Sequence, residues 1–210
     1  MGKKLFENIP FRISRGLLAM FLGIFFRVTY HGRENIPEPP YIIVANHVSL
    51  LDPPLVGTAF LGKDVDFMAK KELFDSPRWG WWAKSVSCIP VDRVGGGVSS
   101  LKEALGRLKK GRAVAIFPEG TRSEDGSLRE AKRGVGFLVA KAEVPVIPVY
   151  IEGSLNALPK GGKLKPGTRM TVWVGKPVYP GELFSSTGGD RKDYDGISRY
   201  IMDRIASLAT

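Results

Sequence analysis

The sequence predicts an α/β fold: a mixed, largely parallel sheet flanked by helices, preceded by an amphipathic helical segment. Three observations carry that expectation. Short apolar runs recur at 41–45, 65–68, 88–91, 113–117, 146–151 and 170–174, each of the length of a buried strand. Helical patterns lie between several of them, and strands that alternate with helices favour parallel order. The 210 residues, 43% hydrophobic and 25% charged, suit one domain with an appendage.

In chain order, residues 1–27 differ from the rest. Arg12 and Arg15 lead into the uncharged apolar stretch 17–26, and Arg27 closes it. That stretch is half of the ~20 residues a spanning helix needs. A basic-then-apolar order also opens signal peptides, but Val28-Thr29-Tyr30-His31 follows in place of a small-x-small cleavage site. Core packing and interfacial packing remain, and the flanking cations favour a membrane-interface helix. The division expected is 1–27 for this segment and 28–210 for the α/β domain. Residues 28–32 alternate as a first strand would, and the prolines at 37, 39 and 40 end it. The run 98–109 is amphipathic, with Leu101, Leu105 and Leu108 on one side. A shorter helical pattern covers 134–142, and a last one covers about 194–208. Residues 159–167 and 185–193 read as mobile loops.

The stretch around His47 organises the chemistry. His47 follows the apolar run 41–45 and stands five residues before Asp52. A histidine serves as general base near neutral pH when a carboxylate holds its other ring nitrogen. Five residues span about 140° on a helix, so the two side chains share no helical face. They meet only if His47 lies on a strand-to-helix turn and Asp52 in the first helical turn. Pro53 and Pro54 fit a first turn. The same residues also read as ordinary capping, with Asp52 as N-cap and Ser49 and Asp52 as a capping box.

Other polar clusters also follow apolar runs. Lys70 follows 65–68, Asp92 and Arg93 follow 88–91, and Glu119, Gly120, Thr121 and Arg122 follow 113–117. Ligands of open α/β sheets bind beyond the carboxyl ends of strands. Arginine suits phosphate because its planar fork bonds two oxygens, Glu119 can accept from a hydroxyl, and Gly120 permits close backbone approach. Singly, each cluster is as well explained as a solvated loop. His31 has no carboxylate in a comparable turn and reads as a strand end.

Net charge of +10, from 31 Lys and Arg against 21 Asp and Glu, calls for an anionic partner. Nucleic acid fits poorly, because Trp79, Trp81 and Trp82 cluster with few interleaved cations. One cysteine, Cys88, excludes an internal disulfide framework, and no Cys/His cluster has metal-ligand spacing.

Asn46-His47-Val48-Ser49-Leu50-Leu51-Asp52 resembles the first signature, Asn-His-x-Ser-x-x-Asp, of glycerolipid acyltransferases of the lysophosphatidic acid type. Phe117-Pro118-Glu119-Gly120-Thr121-Arg122-Ser123 is similar to the third signature throughout, and Val144 to Val149 resembles the apolar fourth. Val91-Asp92-Arg93 resembles the second, with departures at Ser87 and Pro90, and Ala69-Lys70-Lys71 resembles a lysine-bearing segment. The resemblance runs from about residue 28 to 180, in order. It implies acyl transfer from acyl-CoA or acyl carrier protein to the sn-2 hydroxyl of lysophosphatidic acid, giving phosphatidic acid in phospholipid biosynthesis. By that resemblance His47 is the general base and Asp52 its orienting carboxylate, without a covalent intermediate. Lys70, Arg93, Glu119, Gly120, Thr121 and Arg122 would bind the acceptor's phosphate and glycerol. No cofactor or metal is expected. The expected location is peripheral or monotopic, on the cytoplasmic face of an anionic membrane. Alternative acceptors are glycerol 3-phosphate or another lysophospholipid, and the non-enzymatic alternative is an anionic-membrane-binding protein.

Overall fold

A computed structural model describes residues 9–75, 88–92 and 97–209, with backbone alone for 9–15. Its strands are β1 (Arg27–His31), β2 (Ile42–Ala45), β3 (Val65–Lys70), β4 (Ile89–Val91), β5 (Ala113–Ile116), β6 (Val146–Glu152) and β7 (Arg169–Val174). The helices described are α1 (Ile9–Phe25), α2 (Asp52–Ala59), α3 (Glu72–Asp75), α4 (Val98–Lys109), α5 (Arg133–Ala142), α6 (Ser154–Ala157), α7 (Pro180–Ser186) and α8 (Tyr194–Ala206). The strands form one sheet in the order β1-β7-β6-β2-β5-β3-β4. Every neighbouring pair is parallel except β6 and β7. The expected mixed, largely parallel α/β architecture is therefore the observed one.

β2 lies at the centre and shows why these strands read as unbroken apolar runs. Ile43 and Ala45 face a core shared with Leu22 of α1, with Phe26 just after it, and with Leu55 and Val56 of α2. Ile42 and Val44 face a second core shared with Leu108 of α4, Leu138 of α5 and Ile197 of α8. A strand covered on both faces has no polar side to alternate with. Helix α5 crosses α8 closely: a Cβ on Gly136 would lie 1.9 Å from the Tyr194 carbonyl oxygen. At the far end of β3, buried Asp66 accepts two 2.6 Å hydrogen bonds from Arg112, which leads into β5.

Helix α1 has one side in the core and one side exposed. Leu22 and Phe26 are buried in the core beneath it, whereas Leu17, Met20 and Ile24 are 56%, 56% and 68% exposed. Those three recur at i, i+3 and i+7 and form one outward apolar stripe. Among the described residues no helix is long and apolar enough to cross a membrane.

One segment differs from expectation. Residues 185–193 are not all loop: α7 extends to Ser186, with Leu183 and Phe184 buried, and Asp193 caps α8 through the Gly196 N–H at 2.8 Å. A helix of 7 residues is too short for periodicity to announce. Residues 159–167 contain no helix or strand but are tied back, Lys165 N–H to the Ala157 carbonyl at 2.8 Å and Gly167 N–H to the Phe25 carbonyl at 2.7 Å.

Candidate functional site

Asn46 and His47 leave the carboxyl end of β2, and the chain turns into α2 at Asp52. Parallel neighbours send their carboxyl ends to the same edge of the sheet, so the residues after β5 and β6, which flank β2, arrive beside this turn, and those after β3 emerge at the same edge. Asn46 extends the sheet by one side chain. Its Nδ2 donates to the Ile151 carbonyl at 2.9 Å and its Oδ1 accepts the Ile151 N–H at 2.7 Å.

His47 and Asp52 meet as the turn geometry requires, Nδ1 to Oδ2 at 2.9 Å. Asp52 is fully buried, and its Oδ2 also accepts the N–H groups of Val48 and Ser49, both at 2.7 Å. Its Oδ1 accepts from the Ser154 hydroxyl at 2.6 Å. The capping expectation is thereby corrected: Asp52 lies inside the first turn, with Leu51 at the cap position, and its carboxylate reaches back over the turn. Half of the capping box survives, in the Asp52 bond to the Ser49 N–H. The Ser49 hydroxyl instead donates to the Leu158 carbonyl at 2.8 Å and accepts the Leu51 N–H at 3.2 Å.

The histidine is held on every side but one. Its ring stacks on Phe117, centroids 4.2 Å apart. Its N–H donates to Glu119 Oε1 at 2.8 Å, and its carbonyl accepts the Ser123 N–H at 2.8 Å. With Nδ1 on Asp52, Nε2 is the remaining ring nitrogen, and it has no partner among the described residues. The side chain is 16% exposed. A neutral imidazole that donates from Nδ1 presents a lone pair at Nε2.

Glu119 is buried at 2% exposure, and its Oε2 has no hydrogen-bond partner among the described residues. Burial pushes its carboxyl up to about 7, against the pull of the His47 and Arg129 backbone N–H groups and the Arg129 charge. Gly120 takes φ +70°, in the left-handed region that favours glycine. A Cβ there would lie 3.3 Å from Lys132 Cγ. Thr121 is exposed and Arg122 half-buried, and neither side chain is bonded among the described residues.

Lys70 ends β3, exposed, beside Val91 of β4. Two strands separate β1 from β2, so His31 stacks against Trp173, ring centroids 5.9 Å apart, away from His47. Asp92 pairs with Lys71 at 3.7 Å. Arg93 and the tryptophans 79, 81 and 82 lie outside the described residues. The backbone N–H groups of residues 47–49 and of Gly120 are engaged within the protein. Those of Val48 and Ser49 serve Asp52, that of His47 serves Glu119, and that of Gly120 serves the Phe117 carbonyl.

Sequence reasoning passed over Ser154, Arg129 and Lys132. Nothing in residue spacing links Ser154 to Asp52, 102 positions earlier. Arg129 and Lys132 were hidden in a polar stretch without a pattern, and are placed beside Glu119 and Gly120 by the return of the chain toward α5.

Comparison with known proteins agrees with this geometry. Residues 27–152, more than half of the chain, match the family model described as Acyltransferase. The chain is 32% identical to the 1-acyl-sn-glycerol-3-phosphate acyltransferase of Bacillus subtilis over 82% of its own length and 84% of that protein's. It is 35% identical to the chloroplastic 1-acyl-sn-glycerol-3-phosphate acyltransferase BAT2 of Brassica napus, over 74% of this chain and 46% of that one. It thus spans about half the length of such plant relatives. The crystal structure of the 1-acyl-sn-glycerophosphate acyltransferase PlsC from Thermotoga maritima superposes with a TM-score of 0.70 at 32% identity, covering 99% of this chain and 80% of that one. With the His47–Asp52 turn inside the matching family segment, and the fold matching as well, this chain belongs to the acyltransferase family.

Proposed function

We propose that this chain moves a fatty acyl group from an acyl thioester to the sn-2 hydroxyl of lysophosphatidic acid, forming phosphatidic acid. The observation that carries this reading is His47, fixed by Asp52 at Nδ1 and unpartnered at Nε2 among the described residues. In the proposed step Nε2 takes the proton of the acceptor hydroxyl. The oxygen attacks the thioester carbon, the C–S bond breaks, and the imidazolium returns the proton to the thiolate. Asp52 holds the productive tautomer and offsets the charge that forms on the ring, as the third member of a serine-protease triad does. The substrate's own oxygen is the nucleophile, so no acyl-enzyme forms.

Lys70, Arg93 and Arg122 would bind the acceptor phosphate, with Glu119, Gly120 and Thr121 around its glycerol. The reaction needs no cofactor, because the thioester is already activated. The acceptor partitions into membranes, and the outward stripe Leu17, Met20, Ile24 on α1 supports docking of the 1–27 segment on an anionic cytoplasmic membrane surface. Residues 28–210 would then form the catalytic domain.

The test is thiol release from acyl-CoA and from acyl carrier protein, with lysophosphatidic acid or glycerol 3-phosphate as acceptor. Preferential turnover of lysophosphatidic acid is expected. Faster turnover of glycerol 3-phosphate moves the reading to that acceptor, and release from neither overturns the enzyme reading in favour of a lipid-binding protein.

A further inference from the structure

Beyond the matched segment 27–152 lies the only hydroxyl that the described structure brings to Asp52. Ser154 begins α6, directly after β6, and is fully buried, as is Asp52. Its Oγ donates to Asp52 Oδ1 at 2.6 Å, the oxygen turned away from His47. Gly153 makes this possible. It takes φ +81°, and a Cβ there would lie 2.2 Å from the Arg169 carbonyl oxygen, so the chain bends sharply off the sheet against β7.

The same short segment is joined to the turn at two further points, by Asn46 on Ile151 and by the Ser49 hydroxyl on the Leu158 carbonyl. Each of those links is neutral on both sides. The Ser154 link alone ends on the carboxylate.

We infer that Ser154 is a positioning residue of the acyl-transfer reaction, completing a Ser154–Asp52–His47 chain in which its hydroxyl orients the carboxylate. The assignment rests on the acyl-transfer reading above. Its physical content is simple. Oδ2 takes three donors, two of them backbone, and fixes one oxygen. A buried carboxylate with its second oxygen unbonded would turn or draw in a proton, and the His47 Nδ1–H bond would weaken. A hydroxyl supplies the missing donor without adding a charge that would compete with the imidazolium.

The test is a double-mutant cycle with kinetics on wild type, Ser154→Ala, Asp52→Asn and the double variant. Ser154→Ala is expected to lower kcat about 10- to 100-fold, the usual worth of a hydrogen bond to a charged group. KM for the acceptor should stay within about threefold, because the loss arises in the transition state. On the Asp52→Asn background the same change should alter kcat by less than about twofold. Equal losses on both backgrounds, or none, overturn the assignment. Ser154→Cys keeps the volume and the fold while weakening the donor, so wild-type kcat in a folded Cys variant also overturns it. The low-field proton resonance of the His47 Nδ1–H reads the same bond without turnover. It should shift in both variants, and a resonance that stays in place overturns the assignment. Absence of transfer by the wild type instead overturns the acyl-transfer reading and leaves that resonance to decide on Ser154.

Discussion

Asn46 completes the sheet for Ile151: one side-chain amide donates to the carbonyl and accepts from the N–H of a single residue on β6. In the parallel ladder with β2 these two groups would be met by two different β2 residues, and here one side chain meets both after the strand has ended. It lets the backbone depart into the His47–Asp52 turn while the sheet edge stays satisfied, and it sets the position from which His47 starts. Asn46→Ala leaves both Ile151 groups buried without partners. Urea denaturation should show a loss of about 2–4 kcal/mol, and an unchanged midpoint would remove this role.

In the proposed reaction the His47–Asp52 pair carries the chemistry. His47→Ala should lower acyl transfer about 10²- to 10⁴-fold, the usual worth of general acid–base catalysis. Asp52→Asn should cost a comparable factor, since the amide no longer selects the tautomer with a free Nε2. Vesicle binding should be unaffected in both. Thiol-release kinetics beside a vesicle sedimentation assay check the pair, and wild-type rates in His47→Ala would remove His47 from the reaction.

Glu119 makes stability depend on pH in a defined direction. Its carboxyl titrates at about 7 in the fold, above the ordinary 4.5, because burial disfavours its charge. The native state therefore holds a proton that the unfolded chain has released, and this group's contribution is fully favourable below about 4.5. It is lost as pH rises toward 7 and is constant above. Glu119→Gln carries no such charge. The unfolding free energy of the variant minus that of wild type should grow between pH 4.5 and 7, and a difference independent of pH would contradict the shift.

Membrane docking is best tested by surface changes on α1. Leu22 and Phe26 belong to the core, so removal of residues 1–27 would open that core as well as remove the apolar stripe. Leu17→Gln, Met20→Gln and Ile24→Gln together change only the exposed side. Binding to anionic phospholipid vesicles should fall at least about tenfold, given roughly 1.5–3 kcal/mol for each large apolar side chain withdrawn from water. Far-ultraviolet circular dichroism should stay as in wild type. Undiminished binding would move the docking surface elsewhere on the protein.

The strand pattern, the helix at 98–109 and the turn chemistry at 46–52 were set by local sequence. Apolar runs follow from burial on both faces of a sheet, and a His–Asp pair five residues apart with two prolines behind it admits few geometries. Glu119 to Arg122 were legible as a cluster because they stand together after a strand. What the tertiary structure alone decided is which groups meet across distance. Ser154 reaches Asp52 and Asn46 reaches Ile151 over more than a hundred residues, and Glu119 holds the His47 backbone because β5 lies beside β2. A hydrogen bond between distant segments leaves no periodicity in the chain. It depends on strand order, and strand order is settled by how the two cores are packed.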